Sequence, residues 1–307
     1  MEIDDLLQIT QEVKNKVRGC LKLDETSLKE SVERIKHWLE LQPHLPKDKD
    51  DRELEHLLII CKNSIEESKK YIDLYYTMRK LAPEMMTGWN VNESWFHVVC
   101  KNYYIVPMPA LNAELDRVIV TGYLENHDDL VFVDSIKLSV LVWEIRMVED
   151  YNNRDIIVFD MKHVKMSDGL KIDLPFVQKT AICATTELKT RLKAIHFINM
   201  HPTLFSIINI VKSVLKPKFA DRVYTHGTDL TEFHQHVHKD CLPNEYGGNA
   251  GDLMRHWELW QKKLTNSADW LIRRENVKSD ESKRPTNNVK YNEMFGTEGS
   301  FRKICID

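Results

Sequence analysis

From about Val98 onward the chain alternates short β-branched runs with longer helical stretches, and that alternation limits its fold more than any other feature. Arg117–Tyr123 (RVIVTGY), Asp155–Asp160 (DIIVFD), Lys193–Asn199 (KAIHFIN) and Arg222–His226 (RVYTH) have the composition of strands. Helical stretches near 134–150, 175–187 and 201–215 lie between them. Parallel neighbours cannot be joined by a tight turn; they need a crossover, usually a helix. The expected fold is therefore α/β, with a mostly parallel sheet flanked by helices.

The first part of the chain reads differently. Leu28, Val32, Ile35 and Leu39 recur at helical spacing, and Pro43–Asp51 breaks that helix with a charged loop. Leu54, Leu57 and Leu58 belong to a second helix. Ser64, with Glu67 three residues on, opens another that carries Ile65, Ile72, Tyr75 and Met78 and stops before Pro83. The expected organisation is a small N-terminal helical bundle over 1–88, an α/β domain over 89–255, and a C-terminal helix and extended tail over 256–307. Trp89 and Trp95 would staple the junction between the first two.

Charge and thiols narrow the functional classes. The formal net charge is −4, so no global basic field points to nucleic acid. Six cysteines are scattered without a C-x-x-C pair, which fits a reducing, cytoplasmic setting and no zinc knuckle. The opening MEIDDLLQIT has no apolar signal core, and no apolar run is long enough to span a bilayer. Walker A, G-x-G-x-x-G, G-x-S-x-G and H-E-x-x-H patterns do not occur, so neither a catalytic residue nor a cofactor is expected. His234, His236 and His238 form H-x-H-x-H, the basis of a remote alternative, a metal-dependent hydrolase. On a helix only His234 and His238 share a face, fewer ligands than a metal site needs.

Four segments carry a resemblance. Leu242–Gly248 (LPNEYGG) looks like the LPxEYGG signature of CRAL-TRIO domains, and Lys193–Asn199 like their strand with an I-H-x-I-N core. Lys218–Gly227 (KFADRVYTHG) resembles the segment that follows the family's mobile gate. Phe159-Asp160-Met161 sits where the family has its central strand ending in D-x-x-G. The chain thus resembles the CRAL-TRIO lipid-transfer family over roughly 25–275. Phe295-Gly296 and Gly299–Lys303 are similar to the tail of insect members that resemble α-tocopherol transfer protein. It departs from the family in three places: Leu57-Leu58-Ile59 replaces a Phe-Leu-Arg run, His163 stands in place of the glycine, and Lys189 in place of a proline.

The resemblance implies binding and transfer of a small hydrophobic ligand, a tocopherol, retinoid, carotenoid or related isoprenoid. His201–Leu215, with apolar residues on more than one face, would be the gate helix. Leu141, Ile145, Phe159, Phe176, Val177, Leu188, Leu192, Phe197, Phe205, Ile208 and Val211 would line the pocket, with Tyr103, Ser139, Thr180 or His163 as its polar group. By resemblance, Arg191, Lys193, Lys216, Lys218 and Arg222 would meet an anionic or phosphoinositide-containing membrane. The expected partners are that ligand and that membrane surface, contacted peripherally by a monomer. The alternative is a phosphoinositide-binding regulatory module without ligand transfer.

Overall fold

The structure is a computed structural model that describes residues 6–184 and 191–285. Four helices come first: α1 (Gln11–Cys20), α2 (Glu25–Glu40), α3 (Asp51–Ile60) and α4 (Ile65–Leu81). Their starts are set by side-chain caps that satisfy otherwise orphaned N–H groups. Asp50 accepts from the Glu53 amide at 2.8 Å and Ser64 from the Glu67 amide at 3.2 Å. The short α5 (Pro83–Met86) and α6 (Ser94–Asn102) lead into the sheet.

The sheet has five strands in sequence order: β1 (Tyr103–Leu111), β2 (Arg117–Tyr123), β3 (Asp155–Asp160), β4 (Leu192–Ile198) and β5 (Val223–Thr225). β1 pairs antiparallel with β2, and the remaining neighbours are parallel. The four strands expected from composition are present. β1 escaped that reading because Pro107 and Pro109 interrupt it, and proline is confined to edges and irregularities. It is indeed an edge strand, with a register shift between Pro107 and Leu111.

The crossovers are α7 (Phe132–Glu149) between β2 and β3, then α8 (Met166–Leu170) and α9 (Leu174–Ile182) between β3 and β4. Between β4 and β5 come a 3₁₀ turn at Pro202–Leu204, α10 (Phe205–Val214) and the one-turn α11 (Pro217–Ala220). A further single turn, α12 (Phe233–His236), precedes α13 (Leu253–Asn266) and α14 (Ala268–Asn276). Among the described residues no helix is long and apolar enough to cross a membrane.

α7 is buried on almost every side because it is shared. Leu138, Leu141 and Ile145 face a core built with the sheet and with Trp257 and Trp260 of α13. Trp143 and Met147 face the core of α1–α4. Where the two cores meet, Glu144 is fully buried, accepts from the Tyr75 hydroxyl at 2.8 Å and pairs with Arg79 and Arg274. Arg274 of α14 also pairs with Glu53 and Asp48, tying the C-terminal helix to the N-terminal ones. Trp89 is fully buried, its indole donating to the Met85 carbonyl at 3.2 Å.

Three of the sequence segments singled out above converge on one residue. Asp160, at the end of β3, accepts from the Asn199 amide group at 2.9 Å and from the Tyr246 hydroxyl at 2.8 Å. Gly247 takes a left-handed φ of 71°, and a Cβ on Gly248 would fall 2.0 Å from the Leu242 carbonyl oxygen. Both glycines are therefore demanded by the backbone. His163, which replaces the family's glycine, has no left-handed backbone, so the turn after β3 forms without one.

Candidate functional site

Strand residues alternate between the two faces of a sheet. One face here is sealed: Val158, Ala194, His196 and Ile198 are all buried. The other carries Ile157, Phe159, Ile195 and Phe197, and each is only half-buried. Ile157 pairs with Ile195 and Phe159 with Phe197, so the four form a continuous apolar floor across β3 and β4. Aromatic rings extend it. Phe197 lies 5.7 Å from Phe159, Phe159 5.9 Å from Tyr123, and Tyr123 6.1 Å from Tyr103, a row that crosses four strands.

α10 covers part of this floor. Ile208 of α10 and Leu204 of the turn before it point inward and pack with Met161, Met200 and Val223, against Phe159, Ile195 and Phe197. α8 holds it from the side: a Cβ on Gly169 would sit 2.3 Å from Ile207 Cδ1. Beside the floor, where Tyr123 lies, is a cavity of about 100 Å³ lined by Tyr123, His127, Leu130, Phe132, Asp168, Lys171 and Ile172. The outer face of α10 mixes polar Ser206, Asn209 and Ser213 with two exposed apolar side chains. Phe205 is 39% exposed and Ile210 50%. Val131 and Met166, on neighbouring elements, are exposed as well.

Of the expected pocket residues, the structure brings Phe159, Phe197 and Ile208 together, with Val211 half-buried on the same helix. Phe176 packs edge-on to Phe132, a cavity wall, at 5.9 Å, and Val177 is half-buried beside it on α9. Leu141 and Ile145 are enclosed in the main core instead. Leu192 is buried at the far end of β4 from Phe197, and Phe205 faces outward. Leu188 lies outside the described residues, as do Lys189 and the tail segments at 295–303. Tyr103 reaches Ser139 at 3.4 Å, a polar contact between sheet and α7. Tyr123, His127, Asp168 and Lys171 had no signal in the sequence. They come from separate segments and carry no motif.

The basic residues gather at the opposite end of the sheet. α10 runs back along β4 and delivers Lys216 and Lys218, both exposed, to the end where β4 begins. There the Arg222 guanidinium donates to the Leu192 carbonyl. Arg191 lines a small cleft with Arg154, His56 and Ile60, and its Nη1 is buried with no hydrogen-bond partner among the described residues. Burial, and then the neighbouring Arg154, push its proton affinity down. Lys193 is compensated by Asp116 at 2.9 Å and Glu114 at 3.1 Å. Burial alone would depress its ammonium, but those hydrogen bonds outweigh it and raise the pKa.

The H-x-H-x-H run does not converge. His234 bonds the Tyr246 carbonyl at 2.9 Å, His236 lies tilted against the Tyr224 and His196 rings, and His238 sits 3.2 Å from Asp240. The helix expected around them is a single turn, so His234 and His238 do not share a helical face. Among the described residues no group of three such side chains is arranged to hold a metal. A buried pair has formed instead: His196 Nδ1 lies 3.0 Å from His226 Nε2. Burial, reinforced by His226 and His236, pushes the His196 imidazole down to about 3. An unfolded histidine titrates near 6.5, so the neutral fold is fully favoured above that value and loses ground as pH falls towards 3. Between pH 7.5 and 5 this residue alone is expected to cost about 2 kcal/mol of stability. Denaturant titrations at both pH values check it: His196→Gln should flatten most of that slope, and an unchanged slope would place the acid sensitivity elsewhere.

Comparison with known proteins gives two family matches. Residues 24–96 match a Pinta-like UBA domain and residues 113–248 a CRAL/TRIO domain. The mouse alpha-tocopherol transfer protein-like protein is 29% identical over 223 residues, covering 69% of this chain and 62% of that one. The human counterpart is 28% identical over 243 residues, covering 75% and 67%. Clavesin-1 of Xenopus laevis is 31% identical over 121 residues, covering 38% and 36%. The crystal structure of Sfh5 aligns with a TM-score of 0.45 at 15% identity, over 80% of this chain and 99% of that one. The chain therefore spans less than two thirds of its mouse relative. The CRAL/TRIO match runs across the strands that carry the apolar floor and ends on the Glu245–Gly248 motif, so it is residues 113–248 that are similar to a CRAL/TRIO domain.

Proposed function

We propose that this protein is a monomeric, cytoplasmic carrier that binds one small hydrophobic, lipid-like molecule beneath α10 and moves it between membranes. The observation that carries the reading is the half-covered floor of Ile157, Phe159, Ile195 and Phe197. Apolar side chains under a helix are ordinarily sealed, and burying them against a ligand gains about 25 cal/mol per Å². The names of the tocopherol-transfer-like relatives favour an isoprenoid-sized guest. Leu204 and Ile208 fill the space below the helix when it is closed, so uptake requires α10 to lift as a gate. Its exposed outer residues, Phe205 and Ile210, supply the surface that a lipid interface would hold open. A ligand or a membrane shifts the gate only by preferring one of its two states.

The test is extraction and transfer. Native mass spectrometry of the purified protein should find a bound hydrophobe, and a fluorescent tocopherol or a fluorescent fatty acid should move between two vesicle populations faster with protein than without. Protein that carries no hydrophobe and leaves transfer unchanged would remove the carrier reading. Binding to phosphoinositide vesicles without any transfer would instead favour a regulatory module.

Membrane docking on this reading is assisted by the basic end of the sheet. Lys216 and Lys218 make no ion pair with another described residue, and each is worth about 1 kcal/mol near an anionic leaflet. Lys216→Ala with Lys218→Ala is expected to weaken binding to phosphoinositide-containing vesicles about thirtyfold, while ligand affinity in detergent stays unchanged. Sedimentation with vesicles, set beside a detergent titration, separates the two effects. Lys193→Ala, already compensated by Asp116 and Glu114, should change vesicle binding far less.

A further inference from the structure

We infer that the ligand ends in a carboxylate, received by the Tyr123 hydroxyl and the Lys171 ammonium at the mouth of the cavity beside the floor. This rests on the carrier reading and names the chemistry of its guest. The cavity holds about 100 Å³, small beside the roughly 300–1,000 Å³ of ordinary ligand pockets. It therefore has room for a polar headgroup and one or two carbons, not for a lipid. The chain beyond the headgroup must leave along the aromatic row, because Tyr123 lies 5.9 Å from Phe159, and Phe159 5.7 Å from Phe197.

The polar groups of this cavity divide into those already engaged and those free to act. His127 has one ring nitrogen 2.8 Å from the Leu124 carbonyl and the other 2.8 Å from Asp168 Oδ2, so neither is left for a ligand. Asp168 Oδ2 also accepts from the Lys165 amide at 2.7 Å. Two groups remain, and both are donors. The Tyr123 hydroxyl has no hydrogen-bond partner among the described residues, although its ring is half-buried between Phe159 and His127. Lys171 stands at the rim, its side chain 57% exposed and its ammonium 3.8 Å from Asp168 Oδ1, too far for a hydrogen bond. A phenol and an ammonium facing one small cavity call for an acceptor with negative charge. The Asp168 carboxylate is itself held by His127 and the Lys165 backbone amide, which offsets part of its repulsion of a second carboxylate.

The experiment displaces Nile red from the purified full chain with palmitic acid, hexadecanol and hexadecane, three ligands with matched tails. In the wild type the acid is expected to displace the dye at a concentration at least about tenfold lower than the alcohol, as a charge-assisted bond outweighs a neutral one. Lys171→Met should bring acid and alcohol within about threefold of each other while hexadecane is unaffected. Tyr123→Phe should weaken acid and alcohol together and spare hexadecane. Equal displacement by acid and alcohol in the wild type, or a preference for acid that survives Lys171→Met, overturns the assignment and leaves the carrier reading standing. Failure of Nile red and all three ligands to bind the wild type overturns both.

Discussion

Asp150→Ala is expected to lower the unfolding free energy by about 3–5 kcal/mol, more than any surface change, because it strips the partner from two buried guanidinium groups. Asp150 follows α7 and is 2% exposed. It accepts from Arg117 at 2.6 and 3.1 Å, from Arg146 at 2.9 Å and from the Tyr151 amide at 2.8 Å. Arg146 keeps Asp155, but Arg117, wholly buried in β2, would keep only the Met108 and Pro109 carbonyls. Burial alone would raise the Asp150 carboxyl. Arg117 and Arg146 outweigh it and hold the group well below the usual carboxylate range. The sign follows: its contribution is complete above the unfolded value of about 3.9 and is lost as pH falls through the depressed folded value. Urea unfolding at neutral pH measures the loss, and a cost below about 1 kcal/mol would show that the cluster is dispensable. Asp150→Asn, which keeps the shape but not the charge, should fall between the two proteins.

That cluster also marks how far a sequence reaches. The run RVIVTGY announces a strand through Val118, Ile119 and Val120, but nothing in it says that Arg117 is interior. That depends on β1, α7 and the turn at Asp150 meeting around it. Helical periodicity in 134–150 correctly signals burial, and it cannot say against what. Leu141 and Ile145 were expected beside a ligand, yet they face the main core because α7 is wedged between the sheet and the N-terminal bundle. Phe159 and Phe197 were legible because both lie on strands whose alternation fixes their face, and register then sets them side by side. The cavity residues were not. Tyr123, His127 and Lys171 are brought together by a hydrogen-bonded contact, His127 with Asp168, between segments about forty residues apart. The Glu245–Gly248 motif lies between these cases. Its glycines implied a special backbone, while the hydrogen bond from Tyr246 to Asp160 had to await the fold.

Phe205→Asp with Ile210→Asp is expected to reduce association with neutral phosphatidylcholine vesicles about a hundredfold and to slow transfer in proportion, with little change in stability. α10 and the turn before it present two unlike faces. Leu204 and Ile208 are held by packing against Met161, Met200 and Val223, so substitutions there would damage the closed protein. Phe205 and Ile210 are exposed, at 39% and 50%, and changes at such positions usually alter stability by less than about 0.5 kcal/mol. Burying both in a lipid interface would gain about 3 kcal/mol, which is the hundredfold lost when they become aspartates. Neutral vesicles isolate this apolar contribution from that of Lys216 and Lys218 at the other end of the helix. Ligand already inside should be retained, since neither side chain contacts the floor. If vesicle binding persists while transfer collapses, the outer face governs opening rather than docking. If both persist, α10 is a fixed wall, and the path of the ligand must run through another part of the molecule.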